Sequence, residues 1–145
     1  MYLGRKGVRE MLSDDVSRKL FNSGYHHTTS EYVPSSRRNK IMGAVEYIKE
    51  NYTSPTLTVE WLADYAGIST VHFRRIFERF YGTSPKKYII SLKLLRAREL
   101  LSATDMKISE IADAVGFENA YYFSKLMREQ SGMTPSEMRK KLTLT

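Results

Sequence analysis

Arg74 and Arg75 stand side by side in the segment TVHFRRIFERFY, whose apolar residues recur at helical spacing. Phe73, Ile76, Phe77 and Phe80 fall at i, i+3, i+4 and i+7, so on a helix they share one face and form a core stripe. The opposite face then carries Val71, Arg74 and Arg75, again at i, i+3 and i+4. A guanidinium is a permanently charged planar fork of donors. It suits paired acceptors on a flat edge, such as a carboxylate, a phosphate or the O6/N7 edge of guanine. The segment AYYFSKLMREQS repeats the layout: Phe123, Leu126 and Met127 point inward, leaving Tyr121, Ser124 and Lys125 outside. Taken singly, each basic residue reads first as part of a solvated helix face. The repetition is what favours a binding face, with lysine also suited to a phosphate.

Other chemistry is sparse. With no cysteine, the chain has no disulfides, thiolate zinc sites or cysteine nucleophiles. Of the three histidines, His26 and His27 sit in a polar stretch and His72 beside the arginines, so no metal-ligand spacing arises. There is no Ser/His/Asp grouping and no glycine-rich phosphate loop. The expectation is a protein with no catalytic residues, no metal and no cofactor.

The elements that would position these faces are helices, and nothing reads as a strand. Ile41, Ala44, Val45, Ile48 and Tyr52 mark one face of a first helix, ending before Ser54-Pro55. Thr58 caps a short helix through Tyr65, closed by Ala66-Gly67, and Ser69 caps the arginine helix, which Gly82 ends. Ser84-Pro85 opens a long helix, with proline at the first position where its missing N–H costs nothing; Ile90, Leu94, Ala97 and Leu101 form its stripe. The succession then recurs: Ile108 to Val115, Gly116, a helix from about Asn119 to Ser131, and Gly132. A last helix begins at Thr134-Pro135, where Glu137 completes a capping box with Thr134.

The recurrence is an internal repeat. Leu62-Ala63-Asp64 matches Ile111-Ala112-Asp113 and Gly67 matches Gly116, at an offset of 49. After one extra residue in the second turn, Phe73 matches Phe123, Gly82 matches Gly132 and Pro85 matches Pro135, at an offset of 50. In each copy a small residue precedes a glycine by four, as a tight helix-turn-helix requires. The fold expected is all-α: two helix-turn-helix subdomains joined by a long linker helix, about seven helices in all. The boundaries read as 37–83, 84–102 and 103–145.

Three segments, 57–89, 92–101 and 107–140, resemble the DNA-binding domain of the AraC/XylS transcription regulators. The most specific part is I-x-x-I-A-x-x-x-G-F, then Y-F-S, then G-x-T-P, in KISEIADAVGFENAYYFSKLMREQSGMTPSEMRK. The resemblance implies two recognition helices in successive major grooves of duplex DNA, and an activator more often than a repressor. It implies base contacts from Val71, Arg74 and Arg75 in the first unit and from Ala120, Tyr121, Ser124 and Lys125 in the second. Val71 and the Tyr121 ring suit a thymine methyl. Candidate phosphate contacts are Ser69, Thr70, His72, Lys86, Asn119 and Tyr122; a solvated role is the alternative for the Lys86-Lys87 pair. The chain departs from the family pattern in three ways. Met127 and Met138 stand where the family usually has aromatic residues, Val71 is small for a contact residue, and the larger effector-binding or oligomerising domain of most members is expected to be missing from this chain.

The balance of 23 Lys and Arg against 16 Asp and Glu, net +7, suits a polyanionic partner, although a membrane surface would attract the same excess. No apolar run approaches membrane-spanning length and no signal peptide is evident, so the cytoplasm is expected. Residues 1–36 read as a helix with a weak stripe (Val8, Leu12, Val16, Leu20) plus a polar linker, either a native leader or the remnant of an upstream domain. Trp61 reads as a packing residue, with an RNA polymerase contact as the alternative. The competing function is a helical protein-interaction module without specific DNA binding. RNA binding is a third, disfavoured by the lack of an aromatic sheet platform.

Overall fold

The computed structural model describes residues 35–143. The stripe Val8–Leu20 and the His26-His27 pair lie outside them. Among the described residues there are seven helices and no strand: α1 (Ser35–Asn51), α2 (Val59–Ala66), α3 (Thr70–Tyr81), α4 (Pro85–Ala103), α5 (Ile108–Ala114), α6 (Ala120–Ser131) and α7 (Pro135–Thr143). None is long and apolar enough to cross a membrane.

Helix starts follow from local chemistry. The Thr58 hydroxyl accepts from the Trp61 N–H at 3.0 Å, Ser69 from His72 at 3.1 Å and Ser84 from Lys87 at 3.2 Å. Each side chain thereby satisfies an N–H that has no partner within its helix. Thr134 does the same for Glu137 at 3.2 Å, but the reciprocal bond expected from the Glu137 carboxylate is not made. That reciprocal half appears at α5 instead, where Glu110 Oε1 accepts from the Lys107 N–H at 3.2 Å.

The chain divides into two compact units. In the first, α1, α2 and α3 pack on one another around Ile41, Val45, Ile48, Leu62, Phe73, Ile76 and Phe77, all buried. Phe80, expected on the same stripe, is only half-buried, because the stripe drifts off the core toward the end of α3. Tyr88 and Ile89, in the opening turns of α4, complete this core, with the Tyr88 ring edge-on to Phe77 at 5.6 Å.

The second unit takes α4 from Ser91 onward, everything that follows, and the loop Tyr52–Pro55. Its core comprises Leu92, Leu94, Ala97, Leu101, Ile111, Val115, Phe123, Met127 and Met138. Both methionines that replace aromatic residues are thus fully packed, as a flexible thioether readily is. The α4 stripe is broader than its apolar spacing suggests: Ile90 is half-buried, while Ile89, Leu92 and Leu100 are buried. A helix that serves one core with its first turns and another with the remainder must be apolar on more than one face. Arg139 closes its far end, Nε donating to Leu101 O at 3.1 Å and Nη2 to Thr104 O at 3.2 Å. Lone carbonyls at a helix end are thereby given a cationic partner.

Candidate nucleic-acid interface

Each unit builds its outer helix in the same way. At the end of α2 the Gly67 N–H donates to Asp64 O at 3.0 Å and the Ile68 N–H to Ala63 O at 3.1 Å. After α5 the Gly116 N–H donates to Asp113 O at 3.1 Å and the Phe117 N–H to Ala112 O at 2.9 Å. The bonding pattern is the same at an offset of 49. Both glycines have positive φ, +73° at Gly67 and +92° at Gly116, where a Cβ would be strained. Ala63 and Ala112 are fully buried beneath these turns.

The extra residue expected in the second turn is present: Ser69 caps α3 two residues after Gly67, whereas Asn119 caps α6 three residues after Gly116. Asn119 Oδ1 accepts from the Tyr122 N–H at 2.8 Å, leaving its amide hydrogens free to donate elsewhere. Ser69, used in the same way, keeps its hydroxyl proton.

On α3 the structure brings Val71, Arg74 and Arg75 together on the exposed face, Val71 at 65% exposure. Ser69 is exposed and Thr70 and His72 half-exposed at the start of the helix; Lys86 is exposed on α4. On α6, Tyr121 is 79% exposed, Lys125 is exposed, and Ala120, Ser124 and Tyr122 are half-exposed. Each group thus lies on the helix face opposite its core residues, one group per unit. Leu126, read as inward, is half-buried.

Sequence reasoning missed two residues. Glu60 on α2 approaches Arg74, with Oε1 3.9 Å from Nη2. Lys93 on α4 donates to Gly116 O at 2.8 Å and lies 5.4 Å from the centre of the Phe117 ring. Burial pushes the Lys93 ammonium below the ordinary lysine range, and the Glu118 carboxylate opposes this. A signal for Lys93 existed: it stands four residues before Ala97, on the buried stripe. Trp61 stacks on Tyr47 at 4.4 Å and Tyr65 at 5.6 Å on the outside of α1 and α2, so it packs at the surface. No group of three or more metal-binding side chains occurs among the described residues.

A family model described as a helix-turn-helix domain matches residues 62–141. A transcriptional regulator with an AraC-type DNA-binding domain from Chromobacterium violaceum is 34% identical, with a TM-score of 0.63 over 75% of this chain and 96% of that one. The chain belongs to the AraC-type helix-turn-helix family. Two further relatives are similar. The DNA-binding domain of AdpA, solved in complex with a target DNA, is similar at 26% identity and a TM-score of 0.64, covering 70% of this chain and 91% of that one. The transcriptional regulator GbdR of Pseudomonas aeruginosa is 32% identical over 142 residues, covering 94% of this chain and 38% of GbdR. The chain therefore spans well under two thirds of that relative's length.

Proposed function

We propose that this chain binds duplex DNA sequence-specifically and acts as a transcription regulator. It would place α3 and α6 in successive major grooves of one contiguous, asymmetric site. The observation that carries the reading is the pair of matched exposed faces, Val71/Arg74/Arg75 and Tyr121/Ser124/Lys125, each backed by a buried aromatic on the same helix. A helix of this width fits the major groove, where arginine pairs with guanine O6 and N7. The AdpA domain, crystallised on its target DNA, supports the same reading.

In this reading Val71, Arg74, Arg75, Ala120, Tyr121, Ser124 and Lys125 touch bases, while Ser69, Thr70, His72, Lys86, Asn119 and Tyr122 hold phosphates. The functional division runs 37–83, 84–102 and 103–145, and no catalytic step is assigned. Regulation is taken as activation, on family resemblance alone. RNA polymerase is a second candidate partner, through Trp61, by analogy alone.

Selection from random duplex DNA tests the reading, expected to return one asymmetric motif without a repeated half. Affinity for that motif should fall linearly on a log–log plot against salt as phosphate counterions are released. Arg74→Ala and Arg75→Ala should relax preference in one part of the motif and cost about 1–3 kcal/mol each. Uniform weakening on every sequence would replace base readout with phosphate contact. No enriched motif, together with tight capture of a protein, would favour an interaction module.

A further inference from the structure

The second turn carries one residue more than the first, and an added residue costs order. Something must hold it. Gly116 is pressed against the loop Tyr52–Pro55: a Cβ there would lie 2.5 Å from Thr53 O and 2.9 Å from Thr53 C. From α4, Lys93 reaches across to the Gly116 carbonyl at 2.8 Å, with its ammonium over the Phe117 ring. That ring is buried and stacks on Phe123 at 5.3 Å, while Tyr122 meets it edge-on at 6.0 Å. Tyr122 and Phe123 belong to the first turn of α6, between Tyr121 and Ser124. A continuous run of contacts thus joins Lys93 to the base of the exposed α6 face. Each step is short-ranged and directional, so a shift of the turn alters the aim of the helix.

We infer that Lys93 is a positioning residue: through Gly116 and Phe117 it sets the orientation in which α6 offers Tyr121, Ser124 and Lys125 to DNA. The inference rests on the DNA-binding reading above. Lys93 touches no base; its effect on specificity passes through the turn. It acts on the second unit, so sequence preference contributed by α3 is independent of it.

Lys93→Met keeps most of the stem and removes the donor, while Lys93→Arg keeps a donor that can reach a carbonyl. Arg139→Met removes two hydrogen bonds elsewhere in the same unit and serves as the structural control. Hydrogen exchange on the free proteins is read at the Gly116 and Phe117 amides, and base preference is read on duplexes substituted one position at a time. Lys125→Ala marks the positions that α6 reads. For Lys93→Met the expectation is faster exchange at both amides and a roughly tenfold loss on the selected motif. Preference should flatten only at the α6 positions, and Lys93→Arg should restore it. Arg139→Met should lower the melting temperature without reshaping the preference profile. Unchanged turn exchange in Lys93→Met, or flattening spread evenly over the motif, would overturn the inference. If the unsubstituted chain prefers no sequence, the DNA reading falls by itself, and the exchange measurement still decides whether Lys93 holds the turn.

Discussion

Gly67 and Gly116 are equivalent by repeat, yet replacing each with alanine should have unequal consequences. At Gly67 a Cβ meets only the tip of Lys40, Nζ at 3.4 Å, which can swing aside. The cost is then the strain of positive φ, about 1–2 kcal/mol for an L-residue. At Gly116 the same strain applies, and the Cβ also lies 2.5, 2.9 and 3.1 Å from three backbone atoms of Thr53. Backbone cannot rotate away, so the turn or the Tyr52–Pro55 loop must shift, an overpacking cost of about 1–3 kcal/mol. The expected totals are about 1–2 kcal/mol for Gly67→Ala and about 2–5 kcal/mol for Gly116→Ala. Urea unfolding followed by circular dichroism would read the difference from the midpoints, provided the m-value is unchanged. Equal destabilisation, or a larger effect at Gly67, would mean that the Thr53 approach exerts no constraint.

Four other outcomes are expected. Asn119→Ala removes the acceptor for the Tyr122 N–H and should cost about 1 kcal/mol, read as a lower melting temperature. Burial, with Glu46 adding, pushes the Tyr81 phenol up from 10.0 to about 12; burial first, then Tyr81 and Glu46, pushes Tyr88 higher still. Both folded values exceed the unfolded one, so this stability is complete below about pH 10 and falls as pH rises toward 12. Urea melts between pH 8 and 12 should show that decline, and a flat profile would contradict it. Because the Tyr88 hydroxyl is buried without a hydrogen-bond partner, Tyr88→Phe should leave neutral-pH stability nearly unchanged while reducing the alkaline loss. Finally, Glu60→Gln should leave stability within about 1 kcal/mol, since the Glu60–Arg74 pair is exposed. Removing that negative charge should tighten binding to duplexes generally, as measured by anisotropy at low salt.

The sequence made legible whatever depended on local periodicity. The stripes of α1 and α3, the caps at Thr58, Ser69 and Ser84, the paired glycine turns and the extra residue before α6 could all be read from spacing and residue type. The failures occurred where a second neighbour intervened. Helical spacing puts Ile90 first in the stripe with Leu94, Ala97 and Leu101, but α4 serves one core with Tyr88 and Ile89 and another from Leu92 onward. Phe80 and Leu126 satisfy the helical period and yet lie at core margins, because period gives direction and not depth. The candidate faces lie opposite the core residues of their helices for the same local reason. Helical spacing placed Lys93 on the buried stripe of α4, but its partner, like that of Thr53, is Gly116, far along the chain, where no spacing rule applies. Glu137 shows a third kind of miss: the capping-box pattern was present, but only Thr134 makes its half of the bond.

The aromatic stack around Trp61 also makes the protein unusually convenient to observe. Trp61 is the single tryptophan of the chain, and its ring clusters with those of Tyr47 and Tyr65, with 40% of the residue open to water. Indole emission therefore originates entirely from the first unit, at a site small-molecule quenchers can reach, while far-ultraviolet dichroism averages every helix. Denaturation curves recorded by the two signals would superimpose if both units melt together and separate if one melts first. A natural tryptophan label is thus already built into one half of the repeat, and the other half contains no indole.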